Sequence, residues 1–210
     1  MKKFFLILLG FFAAFFSQAQ QRAITEEGKE VILYDDGTWK YKDGEKIPSE
    51  EIPTNPNAFV KDDSSTFLLK SKNLNVGFYL NPKVWSFRKA TINPYAEYEL
   101  QMRDGDLYCV IITEKIEVPL ESLKLIAIEN GKSLSPDLTI VKEEYRNVNG
   151  LKVLLLQMNG TVKGIKVSYY GYYYSSPEGT VQFITYTAQN LLEKYMPEIE
   201  KLLNGLVKVG

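Results

Sequence analysis

Leu151-Lys152-Val153-Leu154-Leu155-Leu156-Gln157-Met158 (LKVLLLQM) decides the fold. It has the length and bounding turn residues of a strand, but apolar and polar residues do not alternate along it. A strand with one wet face alternates, and a strand apolar on both sides is covered on both faces. Asn149-Gly150 precedes it and Asn159-Gly160 follows it, and both pairs favour the positive φ of tight turns. Ile140 to Val148 and Ile165 to Tyr174 then read as its antiparallel neighbours, and Ser175 to Gly179 leads on to a strand over Thr180 to Thr187. The expected architecture is α+β, an antiparallel β-sheet with helices on both faces.

Farther out, Val76 to Leu80 reads as a strand closed by Asn81-Pro82. Tyr95 to Arg103 and Leu107 to Glu114 read as a hairpin turning on Asp104-Gly105-Asp106. Pro119 opens a helix whose apolar face is Leu120, Leu123, Ile126 and Ala127, with Asn130-Gly131 as its expected stop. A second helix closes the chain. Leu191, Leu192 and Tyr195 begin it, and Pro197 restarts it with Ile199, Leu202, Leu203 and Leu206 as the apolar stripe. Residues 66–210 are expected to form this main domain.

The front of the chain is different. Met1-Lys2-Lys3 is followed by the apolar run Phe4 to Phe16 and by small residues at Ser17 and Ala19. Residues 1–19 read as a secretory signal peptide, with an apolar run too short for a membrane span of roughly 20 residues. The expectation is an exported protein, periplasmic or extracellular, with no span in the mature chain. Residues 20–44 read as a β-hairpin element: Glu30 to Tyr34, a turn at Asp35-Asp36-Gly37, then Thr38 to Tyr41. Residues 45–65, with Pro48, Pro53 and Pro56 among polar residues, read as an extended linker.

Composition excludes some chemistry. The formal net charge is −1, with no basic block of the kind that meets nucleic acid. There is no histidine, which removes the usual proton carrier near neutral pH and the commonest metal ligand. The lone Cys109 sits between Tyr108 and Val110 in an apolar strand and reads as a small core residue. The aspartates at 35, 36, 43, 104 and 106 lack the spacing of a calcium loop. No nucleophile elbow, phosphate loop or dinucleotide fingerprint is present. No catalytic residue, metal site or cofactor is expected.

Three stretches in this order resemble the PsbP-like superfamily, known for an extrinsic photosystem subunit and a factor that binds the GTPase Ran. They are VGFYLNPKVWSF (Val76 to Phe87), NVNGLKVLLLQMNGTVKGIKVSYYGYYY (Asn147 to Tyr174) and QFITYTAQNLLEKYMPEIEKLLNGLV (Gln182 to Val207). The resemblance covers roughly residues 66–208. It implies an antiparallel sheet between helical layers, usually without catalysis, and carries no binding residue over to this chain.

The candidate site is the tyrosine run. Strand alternation puts Ile165, Val167, Tyr169 and Tyr173 on one face, and Lys166, Ser168, Tyr170, Tyr172 and Tyr174 on the other. The second face begins polar. If open, its three tyrosines would make a patch of binding-surface size; the competing reading is that a helix or the front hairpin covers them. Tyr170, Tyr172 and Tyr174, with Trp39, are the expected contact residues of a non-catalytic module whose partner is another envelope protein. The alternative is a small-ligand or glycan-binding protein using the same aromatics, and the third class is a hydrolase using paired carboxylates.

Overall fold

The computed structural model describes residues 21–24, 30–34, 39–41, 52–91 and 93–210. The chain divides between residues 50 and 51 into two units. In the first, β1 (Gln21–Ile24), β2 (Glu30–Leu33) and β3 (Trp39–Tyr41) form an antiparallel sheet in sequence order. β2 and β3 are the expected hairpin arms. The leader segment, residues 1–19, lies outside the described residues.

The second unit runs β4 (Thr54–Phe59), β5 (Phe67–Lys70), β6 (Val76–Leu80), β7 (Trp85–Lys89), β8 (Ala96–Met102), β9 (Leu107–Glu114), α1 (Leu120–Leu134), β10 (Thr139–Val148), β11 (Leu151–Val162), β12 (Ile165–Ser176), β13 (Gly179–Ala188), α2 (Leu192–Leu203) and β14 (Leu206–Lys208). Eight strands make one sheet in the order β4-β10-β11-β12-β13-β9-β8-β7, and β14-β6-β5 make a small second sheet. Every neighbouring pair in the large sheet is antiparallel except β4 with β10.

β11 shows why LKVLLLQM does not alternate. Leu154, Leu156 and Met158 pack with Leu123 and Ala127 of α1. Val153 and Leu155 join the larger core that holds Leu192, Tyr195, Ile199, Leu202 and Leu203 of α2. One strand thus feeds two cores, and a helix lies on each face of the sheet. No helix among the described residues is long and apolar enough to cross a membrane.

Four local readings are corrected. Residues 45–65 are not tether throughout, because β4 pairs with β10 and Tyr145 N–H donates to the Pro53 carbonyl at 2.8 Å. The prolines do not forbid this, since β4 is an edge strand whose outer N–H groups need no partner. The turn after β11 falls at Lys163-Gly164 (φ 50° and 84°), not at Asn159-Gly160. Gly160 lies within the strand, packed so closely on Ser135 that a Cβ there would run into it. Gly131 does not stop α1, which continues to Leu134; a Cβ at 131 would sit 2.8 Å from the Leu138 side chain, so the glycine serves close packing. Pro197 lies inside one continuous α2 rather than restarting it.

Candidate functional site: two faces of one tyrosine strand

The tyrosines of β12 divide as alternation requires, but the face expected to be open is closed. Tyr170 and Tyr172 are 3% and 0% exposed, and Tyr174 packs at the edge of the same core. The cover is α2. Its Glu200 and its C-cap residue Asn204, one turn apart, face the tyrosine hydroxyls: Tyr170 donates to Glu200 Oε1 at 2.6 Å and Tyr172 to Asn204 Oδ1 at 2.8 Å. Arg146 of β10 completes a buried clasp. Its Nη1 donates to Glu200 (2.8 and 2.9 Å) and to the Tyr172 hydroxyl (2.9 Å), its Nη2 to the Tyr170 hydroxyl (3.1 Å), and its Nε to Glu144 (2.6 Å). Phe59 of β4 lies flat against the clasp, with the guanidinium carbon 4.2 Å from the ring centroid.

The electrostatics fit a closed structural knot. Burial opposes the charge on Glu144, but Arg146, with Asn55 and Lys142 beside it, holds the carboxyl below its usual value. Burial, with Glu200 beside it, pushes the Tyr170 phenol well up, so it stays a neutral donor. The expectation of an exposed contact surface on Tyr170 and Tyr172 is therefore corrected: their hydroxyls are used inside the fold. The side chain of Trp39 lies outside the described residues.

The opposite face is the one left open. α1 lies over the β11–β12 side of the sheet, and β13, β9, β8 and β7 extend beyond it. This leaves a groove of about 1220 Å³ between the edge of α1 (Ile126, Asn130, Leu134) and the β7–β8 hairpin. Strand register builds its floor in three rows. The first is Tyr173, Gln182 and Ile112; the second Gly171, Ile184, Val110 and Glu99; the third Tyr169, Tyr186, Tyr108 and Gln101. Tyr108 and Tyr186 stack at 5.4 Å between centroids, and Tyr169 lies 6.3 Å from Tyr186. Gly171 is required in the middle, since a Cβ there would sit 2.9 Å from backbone atoms of Phe183 and Ile184.

On the first row the Tyr173 hydroxyl and the Gln182 amide have no hydrogen-bond partner among the described residues, and neither do the hydroxyls of Tyr169, Tyr108 and Tyr186 on the third. Tyr173 and Gln182 are more than nine-tenths buried and both line the groove. Burial alone raises the Tyr173 phenol above its ordinary value, with no neighbouring charge to modify it. Among the described residues that line the groove, Arg88 is the only cationic one, and it is already paired with Glu99 at 2.8 Å. Cys109 is buried and its thiol is pushed up by that burial, as expected for a core residue.

The sequence did hold the signal for the clasp. Glu144 and Arg146 alternate in a central strand, and Glu200 and Asn204 sit four apart beside an apolar stripe, so both elements carry polar groups toward the tyrosines. The groove had a weaker signal: even-numbered aromatic and apolar residues in β9 and β13, with a second apolar set on the other face.

No protein-family profile and no curated protein matches the chain. The fold does have solved counterparts. The solution structure of cyanobacterial PsbP (CyanoP) from Synechocystis sp. PCC 6803 matches with a TM-score of 0.52 at 11% identity, covering 70% of this chain and 94% of that one. PA94 from Pseudomonas aeruginosa, a protein of unknown function described as a putative regulator, gives 0.44 at 14% identity, covering 67% and 95%. LpqN of Mycobacterium tuberculosis, described as involved in cell envelope biogenesis, gives 0.38 at 11% identity, covering 72% and 82%. The likeness to CyanoP shows a PsbP-like α+β fold. At these identities the likeness speaks for the fold alone.

Proposed function

We propose that this protein is an exported, non-catalytic binding module whose ligand lies in the groove on the α1 face. Export rests on the basic, apolar and small-residue pattern of residues 1–19. The binding reading rests on one observation: an open, largely apolar groove lined by the buried residues Tyr173 and Gln182, whose polar groups make no hydrogen bond among the described residues. Ligand sites combine a mostly apolar concavity with a few placed polar groups. The non-catalytic reading is supported by the clasp, where Glu144 and Glu200, the carboxylates that one guanidinium brings together, are both bound to Arg146.

The test is to incubate the protein with a small-molecule extract of the cell envelope and read retained masses by native mass spectrometry. A Val110→Arg variant places a long cation across the floor. The wild type should retain a ligand that the variant does not. The same mass retained by both, or by neither, would remove the groove from the account.

A second reading, docking of an envelope protein over the groove mouth, is favoured by the rim, where Phe87 is 43%, Leu134 68% and Tyr95 75% exposed. Crosslinking from position 95 in the native envelope tests it: a partner lost in Tyr95→Ser supports docking, and an unchanged partner set counts against it.

A further inference from the structure

The ligand class follows from how the groove's polar and apolar parts are arranged, and this step rests on the groove being the binding site. Gln182 and Tyr173 are opposite each other in register on β13 and β12, so their polar ends share one end of the floor. Two residues farther along each strand the floor is Ile184 and Val110, and two farther again it is Tyr186, Tyr169 and Tyr108. At about 3.3 Å per residue the first row lies about 13 Å from the third. The floor therefore has a neutral hydrogen-bonding end, an aliphatic middle and an aromatic end where the rings of Tyr108 and Tyr186 stack.

Charge narrows the class. A carboxylate or phosphate head would need a cation, but among the described residues the lining holds only Arg88, already engaged by Glu99 on the second row. Glu114, another lining residue, lies next to Thr113 at the same end as Gln182 and would repel an anion. A glycan fits poorly for a different reason. Its hydroxyls would lie against Val110, Ile112, Ile184 and Met158, and a buried hydroxyl left unpaired costs on the order of tenfold in affinity. An amide and a hydroxyl can each donate and accept, which suits a carbonyl, hydroxyl or ester.

We propose that the groove binds an uncharged amphiphile, its neutral head held by Gln182 and Tyr173 and its apolar body lying along Ile184, Val110 and the Tyr186–Tyr108 stack. The exposed rim residues Phe87 and Leu134 flank that body.

Isothermal titration at pH 7.5 tests this with three probes below their critical micelle concentrations: 1-decanoylglycerol, sodium decanoate and maltohexaose. Decanoylglycerol should bind, decanoate at least about tenfold more weakly, and maltohexaose not measurably. Gln182→Leu should weaken decanoylglycerol about five- to tenfold, the scale of one lost neutral hydrogen bond. The same variant should melt no lower than wild type, since the Gln182 amide makes no hydrogen bond among the described residues. Equal binding of decanoate, tighter binding of maltohexaose, an unaffected Gln182→Leu, or no binding of any probe would overturn the ligand class. The groove itself is judged separately. A probe whose binding is lost in both Val110→Arg and Tyr186→Ala keeps the groove as the site, and a probe that binds both variants as it binds wild type removes it.

Discussion

The two faces of β12 carry the same residue type to opposite ends. On the α2 face, Tyr170 and Tyr172 are sealed, and each hydroxyl is bonded to Arg146 and to Glu200 of α2 or its C-cap Asn204. On the α1 face, Tyr169 and Tyr173 line a groove, and their hydroxyls make no hydrogen bond among the described residues. Tyrosine density is therefore a poor guide to a binding surface by itself. A hydroxyl that the fold already uses is structure, and a hydroxyl left without a partner beside open space is available to a ligand.

The largest test of this contrast is Arg146→Met. It leaves Glu144, Glu200 and two phenols without their shared donor. Loss of one partner from a buried ion pair costs about 3–5 kcal/mol; the partial exposure of Glu200 puts the expected loss at the lower end, near 3 kcal/mol in urea unfolding. Gly171→Ala comes next. Its Cβ would meet backbone atoms rather than a movable side chain, so a loss of about 1–3 kcal/mol is expected from the same measurement.

A paired comparison isolates the hydroxyls. Tyr172→Phe should cost about 1–2 kcal/mol, because Arg146 and Asn204 each lose a partner. Tyr186→Phe, on the open face, should fall within about 0.5 kcal/mol of wild type. Equal effects of the two substitutions would break the comparison.

The smallest effect is acid sensitivity. The folded-state carboxyl of Glu144 lies below its usual value, and that of Asp137 is lowered to about 2 by hydrogen bonds from Thr161 and Ser135. A lowered folded pKa contributes stability that is present at neutral pH and lost as pH falls through that value. Unfolding midpoints should hold from pH 7 to about 5 and decline below about 4. The decline should be shallower in Arg146→Met, where Glu144 no longer has its cation. A steeper decline in that variant would contradict the clasp.

Much of the layered fold was legible in LKVLLLQM, since a strand apolar at successive positions needs two covers. The hairpin turn Asn149-Gly150 was legible for the same kind of local reason, with φ of 49° and 83°. What sequence could not supply was tertiary competition. Asn159-Gly160 has turn chemistry, but the Ser135 segment packs against Gly160 and the strand runs on to Lys163-Gly164. The proline-bearing residues Thr54–Phe59 look like linker, yet β10 had an open edge and β4 pairs with it. The tyrosine faces were divided correctly, but the polar beginning of the Lys166 face suggested solvent. Ser168 on that face is in fact buried and donates to Asn159 at 2.6 Å, and farther along the strand the cover is a helix carrying its own polar groups.

Nitration of the native protein by tetranitromethane, read tyrosine by tyrosine in peptide mass spectra, tests the two-face account most directly. Tyr95, 75% exposed, sets the rate of a free side chain. The account predicts that Tyr108 and Tyr186 react at intermediate rates while Tyr170 and Tyr172 stay unmodified until the protein unfolds. Modification of Tyr170 and Tyr172 at the Tyr95 rate, with Tyr108 and Tyr186 protected, would contradict it.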